Sequence, residues 1–270
     1  MICFHHNDLD GRCAAAIVFL VYPTCRFIEM DYRSELPIDY IGKDEEVFIV
    51  DFSFQRPGDW TALFARTTNV CWIDHHETAI AKAPPLARQK GLTRTDACGA
   101  LLTWEYFMRK PIPEPLRLVD LWDRWEHDDR NEVLDFVSGM KVENTEPVSS
   151  LWGILLLDDE SSRMLLTIQR QGRIVRRYED EENHRNLEQF GHEVNLDGYR
   201  CLAINSIRRS SLVFGSRLKD YNICIAYVYD GKQWIVSLYS DKVKVNDVTK
   251  SHGGGGHPGA AGFICDALPF

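Results

Sequence analysis

Short apolar runs separated by stretches of helical periodicity occupy the first half of the chain, and they predict alternating strands and helices. Ile2 to His6 reads as a strand, Cys13 to Tyr22 as a helix, and Arg26 to Asp31 and Glu46 to Phe54 as strands. Trp60 to Arg66, behind Pro57-Gly58-Asp59, reads as a helix, and Asn69 to Ile73 as a strand that ends in Asp74-His75-His76. This rhythm implies a parallel α/β sheet. Thr95 or Asp96 is placed to cap a helix through Ala100, Leu101, Trp104 and Phe107, and another helix runs from Glu114 through Trp122 after Pro111 and Pro113.

Helical patterning continues to about Gly191. Between Ser161 and Glu188 the charge is first basic (Arg163, Arg170, Arg173, Arg176, Arg177) and then acidic (Glu179, Asp180, Glu181, Glu182), as in a solvated helix joining two lobes. Strand character returns after Asn195-Leu196-Asp197-Gly198, in Cys201 to Asn205, Ile223 to Tyr229 and Trp234 to Tyr239, with Asp230-Gly231 as a hairpin turn. The expected organisation is an N-terminal parallel-sheet α/β domain over residues 1–160, a helical connector over 161–194 and a smaller C-terminal α/β domain over 195–270. No internal repeat is present, and the one low-complexity tract is Gly253 to Gly256.

Composition narrows the class. A chain of 270 residues has a core large enough to bury roughly 70–75% of its unfolded surface. The longest apolar run, Ala14 to Val21, falls well short of the roughly 18 residues that span a bilayer, and the N-terminus lacks the marks of an export signal. A cytoplasmic protein away from membranes is expected. The eight cysteines are scattered with no Cys-x-x-Cys pair and read as reduced core residues. Lys and Arg total 31 against 40 Asp and Glu, a net charge of −9, which argues against a broad surface for long nucleic acid and favours a small or short anionic substrate.

The polar residues at the strand ends carry the chemistry. His6, Asp8 and Asp10 alternate directly after the first strand, so an extended backbone would project them to one side. Three such groups repel one another unless a cation lies between them, and imidazole with carboxylate oxygen suits manganese, magnesium or zinc. Asp51 ends the strand Val47 to Val50, and Asp74-His75-His76 ends Val70 to Ile73, where parallel sheets place their sites. Adjacent His75 and His76 face different directions, so one can bind metal while the other meets substrate. Asp123 is the favoured completing carboxylate, with Asp120 one turn earlier in competition; Trp122 and Trp125 are expected to pack in the core. Near the C-terminus Gly253 to Gly256, followed by His257-Pro258-Gly259-Ala260-Ala261-Gly262, offers tight turns and backbone amides able to cradle phosphate.

These motifs resemble the DHH phosphoesterase superfamily. His6-Asn7-Asp8-Leu9-Asp10-Gly11 is similar to its first motif, Asp51 to the second, Asp74-His75-His76 to the third and Asp123 to the fourth. Gly253 to Phe263 resembles the signature of the DHH-associated C-terminal domain of nanoRNase-type oligoribonucleases and RecJ-like exonucleases. The resemblance implies two manganese ions. One would be held by His6, Asp8 and Asp51, the other by Asp10, Asp51, His75 and Asp123, with Asp51 bridging, Asp74 counted among the metal ligands and His76 on the scissile phosphate. It places the active site in the cleft between the two domains.

Where the family often carries arginine in a Ser-Leu-Arg-Ser stretch, this chain has Ser237-Leu238-Tyr239-Ser240, and Arg208 and Arg209 are candidates to supply the missing charge. The expected substrate-binding set is therefore Arg208, Arg209, Gly254, Gly255, Gly256 and His257. The expected function is hydrolysis of short oligonucleotides or dinucleotides to mononucleotides by metal-activated water, with no protein partner implied. The alternatives are an exonuclease on longer single strands, a phosphatase of a small phosphorylated nucleotide, and a catalytically silent nucleotide sensor.

Overall fold

A computed structural model describes residues 1–32, 34–56, 58–127, 130–207 and 210–270. The chain divides into two compact units, Met1–Arg173 and Ile174–Phe270.

The first unit opens with β1 (Ile2–His6), α1 (Leu9–Val21), β2 (Arg26–Met30), β3 (Val47–Val50), α2 (Asp59–Arg66), β4 (Val70–Asp74), α3 (Glu77–Lys82) and β5 (Gly91–Thr93). Among the described residues these strands form a five-stranded sheet, β2-β1-β3-β4-β5, with every pairing parallel. Strand residues alternate between two apolar clusters. Cys3, Phe48, Val50, Cys71 and Ile73 pack on one face with α1, while Ile2, Phe4, Val47, Ile49 and Trp72 pack on the other with Trp60 and Leu63 of α2. Burial on both faces explains why these strands read as continuous apolar runs. The strand order reverses between β1 and β3, so a crevice opens at their carboxyl ends.

Then follow α4 (Gly99–Phe107), α5 (Glu114–Asp123), α6 (Asn131–Met140), α7 (Ser150–Leu157) and the long α8 (Ser161–Phe190), whose course crosses the division between the units. Neither Thr95 nor Asp96 caps α4. That helix starts at Gly99, and the carboxylate of Asp10 on α1 accepts the N–H groups of Gly99 and Ala100 at 2.7 and 2.8 Å. A distant residue meets the orphan donors, so the local cap signal was overridden by tertiary structure. Trp122 is the penultimate residue of α5, whereas Trp125 lies beyond it with φ of 63°; both rings pack against that of His127.

The second unit carries β6 (His192–Leu196), β7 (Tyr199–Asn205), β8 (Ile223–Tyr229), β9 (Trp234–Tyr239), α9 (Val245–Ser251), β10 (Gly255–Gly256) and β11 (Ala260–Cys265). Its sheet runs β10-β11-β9-β8-β7-β6, antiparallel except for the parallel β7–β8 pair. Leu196, Cys201, Ile225, Val236, Leu238, Val245 and Phe263 build its core. Tyr239 is buried and packs against Phe214, so the side chain at the place of the expected arginine belongs to the interior. All eight cysteines carry free thiols, and seven are buried. Among the described residues, no helix is long and apolar enough to cross a membrane.

Candidate metal centre

The first three candidate ligands leave the end of β1 in three different ways. His6 is the last strand residue. Asp8 is the N-cap of α1, extended, with its Oδ1 accepting the Gly11 N–H at 2.9 Å, and Asp10 lies in the first helical turn. The extended projection read from their alternation is therefore corrected: the Asp8 cap starts the helix at Leu9, ahead of the Cys13 start that the apolar pattern indicates. The consequence is a division of labour. His6 and Asp8 group with Asp51, Asp10 groups with His75 and Asp123, and Asp51, Asp74, His75 and His76 form a third overlapping group; within each, one potential ligand atom per residue lies within 4.8 Å of the others.

Asp51 occupies the middle of this arrangement. It follows β3 with φ of 51°, a left-handed conformation that non-glycine residues seldom adopt. Its carboxylate is buried, and neither oxygen has a hydrogen-bond partner among the described residues. His75 Nε2 stands 3.2 Å from Asp51 Oδ1, 3.4 Å from Asp123 Oδ2 and 3.8 Å from Asp10 Oδ2.

Asp74 at the end of β4 holds the histidine pair in place. Its Oδ1 accepts the backbone N–H of His75 at 2.7 Å and of His76 at 3.2 Å, and also bonds His76 Nδ1 at 2.7 Å. His76 Nε2 in turn meets the Tyr32 hydroxyl at 2.9 Å. The two neighbouring rings thus point to different partners, as their adjacency requires.

The geometry separates the two carboxylates left in competition on α5. Asp120 Oδ1 accepts the Cys98 N–H at 2.8 Å and its other oxygen faces Arg124, so it braces the turn before α4. Asp123, at the last helical position, joins Asp10 and His75, and its Oδ2 is buried without a hydrogen-bond partner among the described residues.

Charge crowding shows in the protonation equilibria. Burial, then the charges of Asp10 and Asp8, push the Asp51 carboxyl well above its ordinary range, and the same causes raise Asp123. Desolvation also works upward on Asp8, but the hydrogen bond and charge of His6 outweigh it and hold that carboxyl at about 2. Burial, then the neighbouring His76, lowers the His75 imidazole. His76 goes the other way, because Asp74 overcomes burial and lifts it to about 9.

Buried carboxylates without donors are costly unless paired or coordinated. Both Asp51 oxygens, Asp74 Oδ2 and Asp123 Oδ2 have this character. The donor set of carboxylate oxygen and imidazole nitrogen is that of a hard divalent cation, so the residues fit such ions.

The remaining predicted site residues lie in the second unit or outside the described residues. Arg208 and Arg209 are outside them. Gly254 donates its N–H to Thr249 O at 2.8 Å, so that amide is committed to the end of α9. Gly255 and Gly256 are exposed and form β10 against Gly262 and Ala261, and His257 is exposed at the following turn.

Three contributors escaped the sequence reading. Tyr32 follows β2, and its position just past a strand end was the only signal the sequence offered. Gly99 and Ala100 carry no chemical signature, since their role is backbone approach.

The fold and the donor cluster together define an α/β protein with a group of carboxylates and imidazoles that could hold a metal ion at the carboxyl edge of a parallel sheet. The chain has the fold of a DHH domain. Its structure is similar to the DHH domain of a member of a family of ribosomal proteins (TM-score 0.54, 15% identity, covering 98% of this chain and 82% of the other). It is also similar to RecJ from Thermus thermophilus in complex with Mn2+ (TM-score 0.53, 16% identity, 98% of this chain but 49% of that one). A further RecJ exonuclease structure bound to manganese gives a TM-score of 0.52 at 16% identity, over 98% and 85% of the two chains. No family model and no curated protein matches the sequence.

Proposed function

We propose that this protein is a two-metal phosphodiesterase that hydrolyses short oligonucleotides or dinucleotides to mononucleotides. The observation that carries the reading is the Asp51 carboxylate, buried with both oxygens unbonded among the described residues and shared by two of the three donor groups. In this reading His6, Asp8 and Asp51 hold one cation, and Asp10, Asp51, His75 and Asp123 the other, with Asp74 orienting the histidines. Manganese is the preferred ion, consistent with the donor set and with the manganese in the similar RecJ structures. Bound there, paired cations supply the positive charge that lets water act as a nucleophile near neutral pH and that stabilises a phosphorane-like transition state.

The protein's own groups do the rest. Asp74 fixes the ring of His76, which bears positive charge toward the substrate phosphate. In the second unit, the exposed Gly255, Gly256 and His257, with Gly254 shaping their turn, are proposed to bind phosphate together with Arg208 and Arg209. A net charge of −9 supports a short rather than a long polyanion. The test is manganese-dependent hydrolysis of labelled RNA and DNA ladders from two nucleotides upward. Conversion of the shortest members to mononucleotides is expected; processive shortening of long strands alone, or release of phosphate from a terminal monoester alone, would replace this reading.

A further inference from the structure

Tyr32 stands at the centre on a residue pattern that the metal assignment does not use. It lies two residues beyond the end of β2, and its ring is held between two neighbours: Phe52 stacks on it at 5.9 Å and 17°, and His6 lies at 4.8 Å and 34°. The ring therefore packs against two aromatic neighbours, yet the residue is 42% exposed. Its hydroxyl is 2.9 Å from His76 Nε2, and His76 Nδ1 is 2.7 Å from Asp74 Oδ1.

This is a hydrogen-bonded chain of carboxylate, imidazole and phenol. Both ring nitrogens of His76 are engaged within it, so the imidazole has no nitrogen left for a phosphate while the chain stands. The chain ends at the Tyr32 oxygen, and Tyr32 is the most exposed of its three residues. A phenol has one donor and two acceptor sites, so it can take a hydrogen bond from the imidazole and still donate one outward. Because His6 is both a candidate ligand and a ring neighbour of Tyr32, that outward donor sits beside the donor group of His6, Asp8 and Asp51.

We propose that the Tyr32 hydroxyl donates a hydrogen bond to a non-bridging oxygen of the substrate phosphate, with His76 behind it as a positioning residue. Tyr32 is then the catalytic residue that touches phosphate. The step is hydrogen bonding alone, with no proton or electron leaving the chain. It rests on the phosphodiester reading of the centre, and it refines that reading by moving the phosphate contact from His76 to Tyr32. Preorganised donors of this kind are strong because the neighbouring side chains, and not the substrate, meet the cost of orienting them.

The experiment compares wild type, Tyr32→Phe, His76→Ala and the double variant, all loaded with manganese. Binding of inorganic phosphate is measured by calorimetry and dinucleotide turnover is followed separately. Tyr32→Phe keeps the ring and its stacking, so its manganese affinity and melting temperature are expected to match wild type. Its phosphate affinity is expected to fall roughly tenfold or more, and kcat by roughly 10–1000-fold. The double variant is expected to be no worse than His76→Ala, since both act through one hydroxyl. Unchanged phosphate affinity in Tyr32→Phe overturns the proposal, as does full additivity in the double variant. Absence of turnover by wild type on every ladder member would instead count against the phosphodiesterase reading, while the phosphate-binding comparison still decides the role of Tyr32.

Discussion

A Cβ added at Gly99 would stand 2.4 Å from the Cβ of Asp51 and 2.8 Å from its Oδ1. The first turn of α4 therefore lies directly against the buried carboxylate that two donor groups share, and glycine at position 99 is what lets it do so. The same turn donates to Asp10 through Gly99 and Ala100. One backbone segment thus shapes the surroundings of Asp51 and orients Asp10.

Gly99→Ala is expected to be damaging well beyond its size. The added methyl group cannot be accommodated without displacing Asp51 or α4, at a cost of at least about 1–3 kcal/mol. Chemical denaturation gives the stability loss, and calorimetry with Mn2+ should show weakened binding. A variant as stable as wild type and unchanged in metal affinity would show that α4 can shift freely.

Asp51→Asn separates stability from metal binding. It removes a buried charge that has no hydrogen-bond donor among the described residues, so the metal-free variant is expected to be at least as stable as metal-free wild type. Added Mn2+ should raise the melting temperature of wild type strongly and that of the variant weakly. Turnover should fall by roughly 10³-fold or more, as loss of several kcal/mol of transition-state stabilisation implies. Substantial destabilisation of the metal-free variant would contradict the account of Asp51 as a crowded, unsatisfied carboxylate.

The two α5 carboxylates should respond in opposite ways. Asp120→Ala leaves the buried Cys98 N–H without its acceptor and is expected to cost about 1–3 kcal/mol of stability, with binding of at least one Mn2+ retained. Asp123→Asn should spare stability and weaken binding of the second Mn2+. Calorimetric stoichiometry and thermal melts on both variants decide this, and the reverse pattern would reassign the last ligand to Asp120.

The metal-free protein should lose stability as pH rises past neutrality. The folded His76 holds its proton up to about 9, above the ordinary 6.5. A pKa raised on folding contributes stability that is fully present below 6.5 and is lost as pH climbs through 9. Asp51 and Asp123, also raised, contribute in the same direction: their stability is present at acid pH and lost as they ionise. Asp8, held at about 2, contributes the opposite dependence, confined to the range below its ordinary 3.8. Metal-free melts from pH 6 to 9 should decline, less steeply in His76→Asn. Titration of Mn2+ into buffers of different ionisation enthalpy should reveal proton release, and hence affinity that rises with pH.

The sequence by itself determined which residues could do the chemistry. His6, Asp8, Asp51 and Asp74-His75-His76 are legible because each lies at or just beyond the end of an apolar run, and parallel sheets present such ends at one edge. The strands were legible for the same reason, since burial on both faces leaves an uninterrupted apolar signal. The long α8 was legible from its charge pattern, and three strands of the second sheet from their apolar runs and the Asp230-Gly231 turn, whereas β6, β10 and β11 were not.

Tertiary structure decided everything that depends on contact between distant segments. Whether Asp120 or Asp123 faces His75 is a matter of helix rotation, which periodicity does not specify without a partner surface. The capping of α4 by Asp10 spans 89 residues and has no local trace. Tyr32 is an ordinary aromatic in the sequence, and only the parallel pairing of β2 with β1 sets its hydroxyl beside His76. Local pattern reports what each segment prefers to bury or expose; which side chains meet at the carboxyl edge is decided by packing, register and the few glycines that permit close approach.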